Sequence, residues 1–438
     1  MNIIIAGAGK VGFNLANTLS LAHSVTVVDR NIEALNRLQE NLDILIIHGD
    51  IENPKTYTKL INREFELFIA VTDVDEANLI SSVVIDESIV VKRKFVRLKK
   101  RFFRDSPTLK KFGIDETIFP IELTANSVGA LLNYPLANNV KSFVYTDFKL
   151  ISVKISRDFG EFGILFENFE IVGVERDREF FIFSKDRDSL KSGDLVYIFG
   201  DEEKIKEVCK ILETNSPEEI KKCLIFGANE LALAIAKRFL EAKKEVKIVE
   251  KDIELCKRAD ELLEGKVMVL NSKYGTKALF EEEGLKYADI VVSATDDDEF
   301  NIIKSIEAKE YGIRKSIVIN NEKEYYLLMH SLGLVVVRGA KMSSYHTIIE
   351  KIHSNRIVTE RSFCGGKGVM FLRKLFQESH LSQKKLKPIK GESILAFHIS
   401  ESRLIPFSEP IVAKERDVIV VFCNEESAER VERWINGL

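Results

Sequence analysis

Short runs of β-branched and apolar residues alternate with amphipathic stretches along residues 1–140. Asn2 to Ala6, Ser24 to Val28, Ile44 to Ile47, Leu67 to Val71 and Phe95 to Leu98 read as strands, and Ile32 to Asn41 and Glu76 to Ile85 as helices. Such a βαβ succession predicts a parallel sheet covered by helices on both faces. The pattern changes over 141–213, where Ser142 to Tyr145, Leu150 to Ile155, Glu170 to Glu175 and Leu195 to Phe199 read as strands before an amphipathic helix from Glu202 to Leu212. A small α+β module is expected there.

The same order then recurs. Gly7 aligns with Gly227, Asp29 with Glu250, Thr72-Asp73 with Thr295-Asp296, and Asp194 with Asp417, at a near-constant spacing of 220 to 223 residues. Four landmarks in register identify a tandem duplication. The expected domains are 1–140, 141–213, 221–356 and 357–438, with Asn215-Ser216-Pro217 as punctuation between the halves and a closing helix at Glu426 to Ile435.

Composition narrows the class without choosing a chemistry. A chain of 438 residues with a formal net charge of -4 gives no global reason to wrap nucleic acid. Its apolar runs are too short to span a membrane, and the N-terminus reads straight into a strand, so neither a crossing nor a secreted protein is expected. Cys209, Cys223, Cys256, Cys364 and Cys423 are scattered and read as core residues of a reducing compartment. The seven histidines show no metal-ligand spacing, and no metal is expected.

Candidate chemistry lies at the ends of the strands. Gly7-Ala8-Gly9-Lys10-Val11-Gly12 follows the first strand and opens a helix, and Asp29 ends the second strand. Glycines there allow a tight turn, close approach of a pyrophosphate and close packing of helix on sheet, while the carboxylate suits a ribose. The fold expected is α/β: a Rossmann-like doubly wound sheet, duplicated, each copy followed by its small α+β lobe. Asp29 favours NAD(H) over NADP(H), Arg30 weakens that preference, and ATP or ADP would satisfy the same acid. In the second copy, Gly227-Ala228-Asn229-Glu230-Leu231-Ala232 lacks two glycines, although Glu250 remains. Binding there should be weak, altered or absent; the plainer alternative is a packing role.

Gly49-Asp50 and Thr72-Asp73 with Asp75, Glu76 and Asn78 follow later strands, where ligands bind in open sheets. The acidic cluster serves a ligand, the N-cap of a helix through Asp73 or Asp75 with Glu76 opening that helix, or both. Lys92, Arg93, Lys94, Arg97, Lys99, Lys100, Arg101 and Arg104 form a basic run absent from the second half, where Asn320 stands at the place of Arg97. It is either a solvated face or, with Arg97 at the crevice, a surface for anionic lipid or an acidic partner.

GAGKVG with VVD, then HGD, AVTDVDEANL, FVRL and GDLVYIFG resemble the RCK family, domains that regulate potassium conductance. The resemblance covers essentially the whole chain, in two copies. It implies NAD(H) contacts at Gly7, Ala8, Gly9, Lys10, Val11, Asp29, Thr72, Asp73 and Arg97, and matching positions at Gly227, Ala228, Asn229, Glu230, Leu231, Glu250, Thr295 and Asp296. His48-Gly49-Asp50 fits the family's turn, whereas Asn271-Ser272 stands in its place in the second half. It further implies a non-enzymatic, nucleotide-sensing regulator in a dimeric or tetrameric ring, peripheral on the cytoplasmic face of a membrane potassium-translocating subunit. An NAD-dependent oxidoreductase is the competing expectation, but no His, Lys or Tyr stands out as its proton donor. A sensor for a different channel or antiporter is the third.

Overall fold

The computed structural model describes the chain except for residues 62, 105, 144–145, 160–167, 186, 214–216, 218, 274–275, 354–357, 376–384 and 415. The elements of the first half begin with β1 (Asn2–Ala6), α1 (Lys10–Leu19), β2 (Ser24–Asp29), α2 (Ile32–Asn41) and β3 (Leu45–His48). They continue through β4 (Glu64–Ala70), α3 (Asp75–Val84), β5 (Val90–Arg97), α4 (Thr108–Lys111), β6 (Glu116–Ile118) and α5 (Pro120–Asn133). These six strands form one sheet in the order β3-β2-β1-β4-β5-β6, every neighbouring pair parallel. Strands buried on both faces carry continuous apolar runs, as Ile3, Ile4 and Ile5 do with no exposed surface.

The first small lobe contains β7 (Asn139–Ser142), β8 (Lys149–Lys154), β9 (Phe169–Arg176), β10 (Glu179–Phe181), β11 (Leu195–Gly200) and α6 (Glu202–Leu212). Its antiparallel sheet runs β10-β9-β11-β8-β7. The first lobe strand lies earlier than its sequence pattern suggests, at Asn139–Ser142, and Tyr145 falls outside the described residues. The residue pairing of β7 with β8 explains the shift, because Asn139 sits opposite Ser152 and Ser142 opposite Lys149. Most of Asn215-Ser216-Pro217 also lies outside the described residues.

The second half repeats the plan with β12 (Lys222–Phe226), α7 (Glu230–Glu241), β13 (Glu245–Glu250), α8 (Ile253–Leu262), β14 (Met268–Asn271) and α9 (Thr276–Glu281). Then come β15 (Ile290–Ser293), α10 (Asp298–Glu310), β16 (Lys315–Asn320), α11 (Tyr326–Ser331), β17 (Val335–Arg338) and α12 (Ala340–His353). The sheet order β14-β13-β12-β15-β16-β17 reproduces the first sheet strand for strand. The second small lobe comprises β18 (Val358–Phe363), β19 (Gly368–Lys374), β20 (Lys385–Leu386), β21 (Ile394–Ser400), β22 (Arg403–Pro406), β23 (Ile411–Val412), β24 (Val418–Asn424) and α13 (Glu425–Gly437). Its main sheet runs β18-β19-β24-β21-β22.

Compactness does not follow the repeat boundary. One unit comprises Met1–Ala125 together with Asn320–Glu322 and Arg338–Ile349; the other holds Asn126–Ile319, Lys323–Val337 and Glu350–Leu438. In the first unit, most of α12 packs on the first sheet's helices although it follows the second sheet in sequence. Thr18 on α1 meets the Tyr345 hydroxyl at 2.7 Å, and Thr124 on α5 meets Ser343 at 3.0 Å and the Arg338 carbonyl at 3.0 Å. In the second unit the two small lobes share one apolar core, in which Phe148, Val172, Tyr197 and Phe199 pack with Phe363, Met370, Phe397 and Phe422.

Candidate functional site

The first glycine turn is built from three different steric demands. Gly7 adopts φ +115° with Thr72 N only 3.1 Å from where a Cβ would stand, so an L side chain there is both strained and crowded. A Cβ at Gly12 would fall 1.8 Å from the Gly7 carbonyl oxygen, which makes Gly12 the contact that seats α1 against the turn. Gly9 differs, because a Cβ there would meet nothing of the protein within 4 Å. Its bare face opens outward.

Gly9 is also the N-cap of α1, and no side chain bonds the first amides of that helix. An uncapped N-terminus leaves N–H donors and the positive end of the helix dipole for an anion. Asp29 braces the turn from the side: Ala8 N–H donates to Oδ2 at 2.6 Å and Asn31 N–H to Oδ1 at 2.7 Å. A carboxylate has about four acceptor positions, so these two bonds leave capacity for ribose hydroxyls. Asp50 is exposed and accepts Glu52 N–H at 2.9 Å, which fixes the turn after β3.

The second turn is closed by its own side chains. Asn229 caps α7, its Oδ1 accepting Ala232 N–H at 2.9 Å, while its Nδ2 donates to Asp296 at 2.9 Å. Glu250 is 5% exposed and takes Ala228 N–H on one oxygen and Lys251 and Asp252 N–H on the other. Asn271 donates to the Glu250 and Lys251 carbonyls, so the segment after β14 is also bonded inward. Glu230 at the first position of α7 carries the charge that a phosphate would meet there.

Around the fourth strand the repeats agree. Asn78 is fully buried and accepts Thr72 N–H at 2.9 Å while donating to the Arg97 carbonyl at 2.9 Å. Asn301 does the same with Thr295 at 2.9 Å and the Ile319 carbonyl at 3.1 Å. These asparagines set the distance between neighbouring strand ends. The sequence shows Asn78 beside the acidic cluster, but its bond across to β5 needs the fold.

The helix-capping alternative for Asp73 and Asp75 is corrected. The N-cap of α3 is Val74 without a side-chain bond. Buried Asp75 instead accepts Lys99 and Lys100 N–H at 2.8 Å each, and Asp73 pairs with Arg97 at 2.9 Å. Partial burial works against the Asp73 charge, yet Arg97 and Lys99 outweigh it and hold its carboxyl below the usual range.

The basic run divides into exposed and buried cations. Lys94 and Arg97 are buried against Asp86 and Asp73, whereas Lys92, Lys100, Arg101 and Arg104 stay exposed in surface pairs with Glu66, Glu76 and Glu122, and Lys99 joins Asp73. Arg93 lies over the Phe95 ring, 4.8 Å from its centroid. Arg97 lies buried at the end of β5 beside Asp73, where its Nε also donates to Ser344 on α12 at 3.1 Å. Lys10 pairs with Glu322, a partner more than 300 residues away that no local pattern reveals.

Other titratable groups stand apart from the turns. All five cysteines are free and buried, and burial pushes the Cys209 and Cys223 thiols up to about 12. Among the described residues no group of three or more His, Cys, Asp and Glu could hold a metal, and no helix is long and apolar enough to cross a membrane.

The profile of the TrkA-N domain matches residues 3–120 and again 223–338. The chain is similar to a Trk system potassium uptake protein TrkA homolog of Archaeoglobus fulgidus, 27% identical over 99% of both chains. It resembles the Trk system potassium uptake protein TrkA of Halomonas elongata at 27% identity, over 84% of this chain and 82% of that one. Among solved structures, the GsuK RCK domain superposes over 100% of this chain and 95% of that one, with a TM-score of 0.60 and 13% identity. The GsuK channel bound to NAD superposes over 100% of this chain and 79% of that one, with a TM-score of 0.60 and 15% identity.

Proposed function

Because the chain belongs to the TrkA-N domain family and carries that domain twice, we propose that it is a nucleotide-sensing regulatory subunit for potassium uptake. It acts from the cytoplasmic face on a membrane potassium-translocating subunit of the TrkH/TrkG type. The relatives' names, matched over nearly the full chain, support the role in potassium transport. The observation that carries the sensing role is the uncapped α1 N-terminus beside open Gly9 and Asp29, set against a second turn already capped by Asn229.

The first site takes an adenine nucleotide, NAD(H) before ATP or ADP. Backbone amides from Gly9 to Val11 hold the phosphates, Asp29 takes the ribose, and Thr72, Asp73 and Arg97 line the facing strand ends. GsuK structures bound to NAD and to ADP support this ligand class. The second turn, with Asn229 and Glu250 bonded inward, serves mainly as scaffold. Copies of the chain assemble into a ring, which carries the change to the pore. A regulator of this kind works only if the nucleotide binds two states unequally, and pore state must then alter nucleotide affinity by the same factor.

Isothermal titration of NADH, NAD, ADP and ATP into the purified chain, with and without the membrane subunit, tests the reading. Binding that changes when the partner is present supports it. Equal affinities under conditions where potassium flux responds to nucleotide would sink it.

A further inference from the structure

The cation within the first glycine turn, Lys10, is held by a residue from the other repeat. Lys10 follows Gly9 at the start of α1, and its ammonium pairs with the carboxylate of Glu322, just after β16. The pair remains in reach of solvent, with side-chain exposures of 28% and 41%. Glu322 is not delivered by a loose chain. Asn320 bonds it twice, its Nδ2 donating to the Glu322 carbonyl and its Oδ1 accepting Glu322 N–H at 3.3 Å. The segment Asn320–Glu322 is compact with the first sheet, as are Ser344 and Tyr345, which bond Arg97 and Thr18.

A ligand phosphate at the α1 N-terminus and the Glu322 carboxylate draw on the same ammonium. Lys10 opens α1, and its long stem can swing between the Glu322 carboxylate and a phosphate bound at that helix end. We propose that Glu322 is a built-in competitor for the phosphates of the first-site ligand, so that occupancy of the turn and attachment of the Asn320–Glu322 segment oppose each other. This rests on the nucleotide reading above. It adds a residue that tunes affinity, and a route by which the second half senses the first site.

Glu322→Gln removes the competing charge while keeping shape. A partly exposed pair of this kind is worth enough to shift affinity about two- to fivefold. Titration of ADP and NADH into E322Q should therefore show tighter binding by that factor, with adenosine, which lacks phosphate, unchanged. K10Q should weaken both phosphate-bearing ligands, and E322Q added to K10Q should give no further gain. The competitor is overturned by equal ADP affinity in wild type and E322Q, by an equal gain for adenosine, or by a gain that survives in the K10Q background. A wild type that binds no nucleotide overturns the nucleotide reading along with it, whereas a wild type that binds with E322Q unchanged overturns the competitor alone.

Discussion

Phe199 and Phe422 hold equivalent places in the two repeats and pack against each other, ring centroids 5.2 Å apart at 61°. Both are fully buried at the centre of the core shared by the small lobes. Duplicated lobes whose matching faces meet form an isologous contact inside one chain, so one exposed apolar sheet face is covered by its own copy.

Truncating either ring should therefore damage both lobes. Phe199→Ala and Phe422→Ala are each expected to cost about 3–5 kcal/mol, and the double variant less than the sum because the rings share a contact. Thermal and urea unfolding of the three variants measures this, and full additivity would show that the rings act independently.

The glycines of the first turn should separate by role. Gly9→Ala points a methyl into open space, so the unfolding midpoint should stay at the wild-type value while nucleotide affinity falls tenfold or more, about 1.4 kcal/mol. Gly12→Ala drives a methyl into the Gly7 carbonyl and should lose stability and binding together. Titration paired with a thermal melt distinguishes the two.

Acid should weaken the Asp73–Arg97 link in a defined window. The folded carboxyl is held below its unfolded value, so its contribution is present above about pH 3.9 and is lost as pH falls through the lower folded value. Asp73→Asn should flatten that part of the urea midpoint profile between pH 5 and pH 3, and a profile parallel to wild type would refute the assignment.

Lys315 should act in the opposite pH range. It lies fully buried at the start of β16, donates to the Ala137 carbonyl at 2.5 Å and to the Pro135 carbonyl, and burial lowers its pKa to about 7. The unfolded lysine titrates near pH 10.4, so between those values the unfolded state binds the extra proton and stability rises with pH. Lys315→Met should remove that slope while leaving two carbonyls without a donor. Melting temperatures from pH 7 to pH 9.5 report it, and an unchanged slope would place the titration elsewhere.

Much of this protein is written locally. Alternation of apolar runs with amphipathic stretches is enough to place five of the six parallel strands of the first sheet and several helices, because burying one face of each element is a demand that neighbouring residues meet together. The duplication, the glycine turn and Asp29 follow from the same short-range signals. What the tertiary structure decided is which distant groups meet. The Asn229 cap uses a type of residue that reads locally as a mere loss of glycine, and its tie to Asp296 spans 67 residues. The basic run looks free until Glu66, Asp86, Glu76 and Glu122 are brought beside it. Most of α12 leaves its own repeat for the first sheet, and Lys10 finds Glu322. Charge and hydrogen-bond partners are chosen by long-range packing, whereas periodicity records only whether a position faces inward, so the sequence determined the frame and the inequality of the two turns, and the fold decided which distant groups brace each of them.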